Sequence, residues 1–92
     1  MIKSFKDKQT AELFSGNTPK KFSAIEKVAT RKLQMLDAAI TINDLRVPPA
    51  NHLEALIGDR KGQYSIRINA QFRLCFVWEG QNAFDVEIVD YH

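Results

Sequence analysis

Residues 63–92 read QYSIRINAQFRLCFVWEGQNAFDVEIVDYH, and their alternation decides the fold. Tyr64, Ile66 and Ile68 alternate with Ser65, Arg67 and Asn69. Phe72, Leu74, Phe76 and Trp78 alternate with Arg73, Cys75 and Val77, and Phe84, Val86 and Ile88 alternate with Asp85, Glu87 and Val89. A period of two belongs to strands, whose successive side chains leave on opposite faces. In all three runs the apolar positions carry even numbers, so the strands share one apolar face. Turns are expected at 69–71 and 79–83. Upstream, 53–57 reads as a further strand with GDRKG, 58–62, as its turn. The pattern predicts an antiparallel meander with one dry face.

The first half supplies the cover for that face. Residues 2–5 read as a short strand. Asp7 can cap a helix over 8–15 that ends at Gly16. A second helix of about five turns starts at Thr18 or Ser23, with Pro19 tolerated in its first turn. Its apolar face is Phe22, Ile25, Val28, Ala29, Leu33, Leu36, Ala39 and Ile40; its other face carries Lys20, Lys21, Lys27, Arg31 and Lys32. Pro48-Pro49 stops regular structure in the connector 41–50. The expected fold class is α+β, with two N-terminal helices packed on one face of a small twisted antiparallel sheet.

At 92 residues, 45% of them hydrophobic, the chain is expected to form one domain over 1–92. Net charge is +2, but unevenly spread: nine Lys/Arg against five Asp/Glu in 1–46, and four against six in 47–92. Any nucleic-acid contact in the second half therefore rests on a few placed cations. One cysteine, Cys75, fits a reducing compartment. No signal-peptide or membrane-spanning run is visible, so a soluble cytoplasmic protein with no membrane partner is expected. Two His and one Cys do not make a zinc site of usual spacing, and four glycines form no phosphate-binding fingerprint. No metal or cofactor is expected.

Hairpin registers place side chains together. A turn at 69–71 sets Arg67 opposite Arg73, a like-charge pair that is unfavourable by a few tenths to about 1 kcal/mol. An anion lying across both reverses that sign, and Arg suits bidentate phosphate contact. A turn at 79–83 sets Trp78 against Phe84, Phe76 against Val86 and Arg73 against Val89, leaving Tyr91 diagonal to Arg73. Arg67, Arg73 and Tyr91 then gather at one end of the sheet. The plain alternative is a solvated face in which Glu87 neutralises Arg73. The C-terminal Asp90, Tyr91 and His92 add groups able to move protons, as do His52 and Glu54 if both lie on one face of a strand. Such an inventory suffices for metal-free RNA cleavage, although residue types alone do not select an enzyme.

GDRKGQYSIRIN at 58–69, QFRLCF at 71–76 and VEIVDYH at 86–92, with the opening MIKSF, resemble the HigB-type toxins of the RelE superfamily. The resemblance covers essentially the whole chain and is most specific from GDR to DYH. It implies a microbial-RNase-like fold and ribosome-dependent, metal-independent endonucleolytic cleavage of mRNA in the A site. It also implies a HigA-like helix-turn-helix antitoxin, and contact with operator DNA only through that antitoxin. Asp90, Tyr91 and His92 match the family's catalytic triplet, and Arg73 matches a basic residue of its fourth strand. Arg60 matches the GDR turn. Arg60, Lys61 and the helix cations Lys20, Lys21, Lys27, Arg31 and Lys32 are expected to contact ribosomal RNA, with Arg67 and Arg73 on the scissile phosphate. One departure stands out. The better-studied branch has His-Pro-Leu-Lys-Gly where this chain has Glu54-Ala55-Leu56-Ile57-Gly58, so Glu54 replaces a catalytic His and Ile57 a Lys. His52 is the nearest substitute. Two other readings stay open: a ParE-like poison of DNA gyrase, and a module that only binds antitoxin.

Overall fold

The computed structural model of the chain describes residues 1–91. Asp7 is extended, and its carboxylate accepts the Thr10 N–H at 3.0 Å, starting α1, Lys8–Phe14. That bond satisfies an amide the helix itself leaves unpaired. Gly16, at φ 101°, takes the chain out of the helix in a conformation a Cβ would disfavour.

The second helical segment departs from five even turns. Pro19 is extended, Lys20–Ile25 winds as a 3₁₀ helix, and α2 follows over Glu26–Ala38. The tight winding has a packing reason: at three residues per turn Phe22 and Ile25 fall in line, and both are buried. The Thr18 hydroxyl donates to the Glu26 carboxylate. Ala29, Leu33 and Leu36 continue the buried line along α2. Ile40 leaves that face, because Ala39 turns extended and ends the helix before it; Ile40 is exposed.

In the connector, Thr41 and Asp44 form a capping box on the 3₁₀ turn Ile42–Arg46, which buries Leu45. A further 3₁₀ turn, Pro49–Asn51, leads to β1, Glu54–Ala55. The expected strand 53–57 is thus cut to two exposed residues. Its last side chain, Ile57, is 87% exposed and has no core to reach. After the 3₁₀ turn Gly58–Arg60 come β2, Gln63–Arg67, β3, Phe72–Glu79, and β4, Asn82–Asp90. They form an antiparallel sheet in the order β1-β2-β3-β4. Helices and sheet share one core of Leu13, Phe22, Leu33, Leu36, Ile66, Leu74, Phe76 and Val86 among others, which is the α+β arrangement expected.

Register holds where the site lies and slips beyond it. Arg67 pairs with Arg73, Arg73 with Val89, and Leu74 with Ile88, as the turn arithmetic requires. Past Cys75 the ladder shifts, so Val77 pairs with Phe84 and Trp78 with Ala83. Asp85, at φ 52°, absorbs the extra residue as a bulge. Asp tolerates the left-handed region better than most side chains. The turn then contracts to Gly80-Gln81, with Gly80 at φ 62°. Phe84 therefore leaves the core face, and Ala83, fully buried opposite Trp78, takes its place. The same bulge breaks the expected strand at 2–5 into two parallel bridges, Ile2 to Ala83 and Phe5 to Val86. Ser4 fills the gap by accepting the Asp85 N–H at 2.9 Å. Among the described residues no helix is long and apolar enough to cross a membrane.

Two expected outcomes test this frame. Ala83→Leu overpacks a closed site and destabilises the fold by about 2 kcal/mol. Phe84→Leu costs less than about 1 kcal/mol, a figure for side chains outside a tight core. Urea unfolding midpoints read both, and the reverse order rejects the bulged register. The second concerns Asp44. Its carboxylate accepts the Thr41 N–H at 3.0 Å and the Ile40 N–H at 2.9 Å, and these bonds hold its pKa below the ordinary carboxylate value. A depressed folded-state pKa stabilises the fold above the unfolded-state value of about 4 and ceases to do so as pH falls through the folded-state value. Wild type should exceed Asp44→Asn in thermal stability at neutral pH, and the gap should close in acid.

Candidate active site at the open end of the sheet

Helices cover the even-numbered face of the sheet; the odd-numbered face carries Ser65, Arg67, Arg73, Cys75, Glu87 and Val89. Ser65 and Cys75 are nonetheless fully buried. The Arg73 side chain, 11% exposed, lies over this surface. Its Nε donates to Ser65 Oγ at 2.8 Å, and its Nη2 donates to the His52 carbonyl at 2.6 Å. Glu54 Oε1 stands 3.9 Å from the same Nη2. The guanidinium carbon is 5.9 Å from the centre of the Tyr91 ring, within cation–π range. One guanidinium thus joins β1, β2, β3 and the end of β4.

Arg67 is the register partner of Arg73, yet the two heads diverge. Arg67 Nε donates to the Asn69 carbonyl at 3.1 Å, in the β2–β3 turn. Asn69 Oδ1 holds that turn by accepting the N–H groups of Gln71 and Phe72, each at 2.8 Å. The like charges are separated by different anchors, although both stay at the same end of the sheet.

The terminal residues split across the sheet. Tyr91 stays in the ladder through its N–H to the Gln71 carbonyl at 2.6 Å and turns to Arg73. Asp90 faces the helical side, where Oδ2 accepts from Gln71 Nε2 at 3.0 Å. There it lines a cleft of about 340 Å³ with Lys21, Phe22, Phe72 and Ile88. His92 lies outside the described residues. His52 and Glu54 do not share a strand face as expected: β1 begins at Glu54, and His52 sits in a left-handed turn at φ 45°.

Arg60 crosses the sheet over Cys75. Its Nη1 donates to Gln63 Oε1 and to Glu87 Oε2, both at 3.1 Å. Glu87, which also meets Lys6 at 3.4 Å, therefore neutralises Arg60 and not Arg73. The hydrogen bond that Arg60 donates to Glu87 raises the Arg60 pKa, and burial raises that of Cys75, keeping it a neutral thiol. Lys61, Lys20, Lys21, Lys27 and Arg31 are exposed; Lys27 and Arg31 flank a shallow groove on α2. Lys32 differs: it is half-buried, and its ammonium donates to Asn51 Oδ1. Sequence reasoning passed over Asn51 and Ser65. Ser65 was findable, since parity sets it beside Arg73; an asparagine in a loop carries no such signal. Among the described residues no three His, Cys, Asp or Glu side chains converge as a metal site would.

The architecture is one known from bacterial toxins. The YoeB–YefM toxin–antitoxin complex of Staphylococcus aureus contains a chain with this fold, at a TM-score of 0.62 and 22% identity, with 100% of this chain and 98% of that one covered. Within that class the chain belongs to the HigB family, RelE-like toxins of type II toxin–antitoxin systems, whose family model matches residues 3–92. Toxin HigB-1 of Vibrio cholerae serotype O1 is 44% identical over 80 residues, 85% of this chain and 84% of that protein. Endoribonuclease HigB of Proteus vulgaris is 34% identical over 94 residues and the full length of both.

The anchoring of Arg73 predicts a stability cost that needs no activity assay. Lysine cannot serve Ser65, His52 and the Tyr91 ring together, so Arg73→Lys should cost about 2 kcal/mol, the scale of hydrogen bonds to charged groups. Arg67→Lys, which gives up one bond to a turn carbonyl, should cost about 0.5 kcal/mol. Chemical denaturation compares the two.

Proposed function

We propose that this toxin is an endoribonuclease that cuts translated mRNA in the ribosomal A site and is silenced by a HigA-like helix-turn-helix antitoxin. The observation that carries this reading is the fixed guanidinium of Arg73 beside the Tyr91 ring at the open end of the sheet. A cation already held in place stabilises a developing phosphorane without reorganising during the reaction. The full-length likeness to a protein named an endoribonuclease supports the same chemistry, and a neighbour crystallised with its antitoxin supports the partner.

In this reading the 2′-oxygen attacks phosphorus and the bond to the 5′-oxygen breaks, leaving a 2′,3′-cyclic phosphate and a 5′-hydroxyl. Arg73 binds the scissile phosphate, with Arg67 beside it. Asp90 and His92 exchange the two protons, one as base and one as acid, and Tyr91 orients the attacking hydroxyl; for this the end of β4 must turn Asp90 from the helical side, where Gln71 holds it, to the Arg73 face. Glu54, 3.9 Å from Arg73, and His52 are the nearest groups to the position of the family's upstream His. Lys20, Lys21, Lys27, Arg31 and Lys61 contact ribosomal RNA from the exposed surface, so affinity falls steeply with salt. Arg60 adds to them if Glu87 releases it. The scheme uses no metal and places the protein in the cytoplasm, with the ribosomes.

Primer extension on a defined message in a purified translation system tests this directly. Wild type should produce cuts inside codons, and protein lacking His92 should cut about 100-fold more slowly, the usual scale of one general acid or base. Persisting cuts would move the chemistry to His52 and Glu54. Absence of any cuts with translating ribosomes, together with inhibition of gyrase supercoiling, would replace the nuclease with a gyrase poison.

A further inference from the structure

Asn51 is fully buried, and a buried amide is costly unless its polar atoms are bonded. Its Nδ2 donates to the Leu45 carbonyl at 3.0 Å and reaches the Val47 carbonyl at 3.4 Å, closing the connector on itself. Its Oδ1 accepts from Lys32 on α2. The next residue, His52, is held at φ 45°, ψ 57°. A left-handed non-glycine costs about 1 kcal/mol or more and persists only where its surroundings impose it. Here it aims the His52 carbonyl at Arg73 Nη2, 2.6 Å away.

We propose that Lys32 and Asn51 are positioning residues for Arg73: the ammonium fixes the amide, the amide fixes the turn, and the turn carbonyl fixes the guanidinium. The inference rests on the reading in which Arg73 binds the scissile phosphate. It removes Lys32 from the cations that touch RNA. The position of Lys32 agrees with this, since burial, and then the neighbouring Arg31 charge, lower its pKa. A lysine kept for an RNA surface gains nothing from being desolvated. Without the His52 carbonyl, Arg73 keeps its Nε bond to Ser65, but the far end of the guanidinium is free to swing.

Asn51→Ala opens a buried polar site and can unfold the chain, so Lys32→Met, which keeps the aliphatic stem, carries the test. Lys32→Arg is the conservative control, and Lys27→Met marks a surface cation. Cleavage in the ribosome system should be about 10-fold slower in Lys32→Met, since small misplacements of a catalytic group cost one to two orders of magnitude. Its salt dependence should match wild type, whereas Lys27→Met should lower the salt slope by about one. Adding Lys32→Met to Arg73→Ala should slow the reaction no further, and Lys32→Arg should recover most of the rate. The Arg73 Nε–H resonance of the free protein should shift and exchange faster in Lys32→Met. A lowered salt slope in Lys32→Met, a multiplicative slowing on top of Arg73→Ala, or an unchanged Arg73 resonance would each overturn the proposal. If wild type cuts nothing, the nuclease reading fails alone, and the resonance still decides whether Lys32 positions Arg73.

Discussion

Two short helices cover only one face of the sheet, so the other face must be closed by its own side chains. Everything at the site follows from that constraint. The odd-numbered face holds a serine and a cysteine at positions with no exposure. What shields them is the length of two arginines, Arg73 along β2 and β3 and Arg60 across β3 toward β4. Long cationic side chains bury apolar stems while their heads stay hydrogen-bonded. In a small domain with limited core, that closure gives the outer face a packed layer it could not otherwise have.

The same closure makes the charges rigid. Arg60 is compensated by Glu87 and Lys6 shares that carboxylate, so this pair is largely structural. Arg73 has neutral acceptors on two sides and only a loose approach from Glu54, whose side chain is 58% exposed. An ion pair at 3.9 Å with an exposed partner is worth little. Arg73 is thus held firmly by neutral groups and is weakly neutralised by charge, the combination that the proposed phosphate contact requires. The Arg60 layer and the Arg73 layer use the same residue type for opposite electrostatic ends.

Much of this was legible in residues 63–92, because strand parity is a strict rule wherever one face is dry. Parity sets Arg67 against Arg73 and Arg73 against Val89, and both pairs are present. It fails at Phe84, since a bulge is a backbone event at one residue, and Asp85 looks like any polar position in an alternating run. The cap at Asp7 was readable from its type and place. The 3₁₀ winding of Lys20–Ile25 was not, because apolar spacings of three suit both helix types until the packing partner is known. The role of Asn51 was hidden for a deeper reason: its partners Leu45, Val47 and Lys32 are defined only by tertiary closure of the connector.

Glu54 and Ile57 set the charge of the segment that leads from β1 into the Gly58–Arg60 turn. Ile57 is 87% exposed and carries no charge where the family resemblance implies a lysine. Glu54 adds a negative charge beside Arg73 where the better-studied branch has an imidazole. Both changes lower the positive potential at the open end of the sheet. The guanidinium groups of Arg67 and Arg73 remain there, Arg73 the more firmly held, and orientation matters more when cations are few. With Glu54 and Ile57 at these positions the site leans harder on whatever holds Arg73 still, and the buried amide and ammonium behind His52 are the groups proposed to do that.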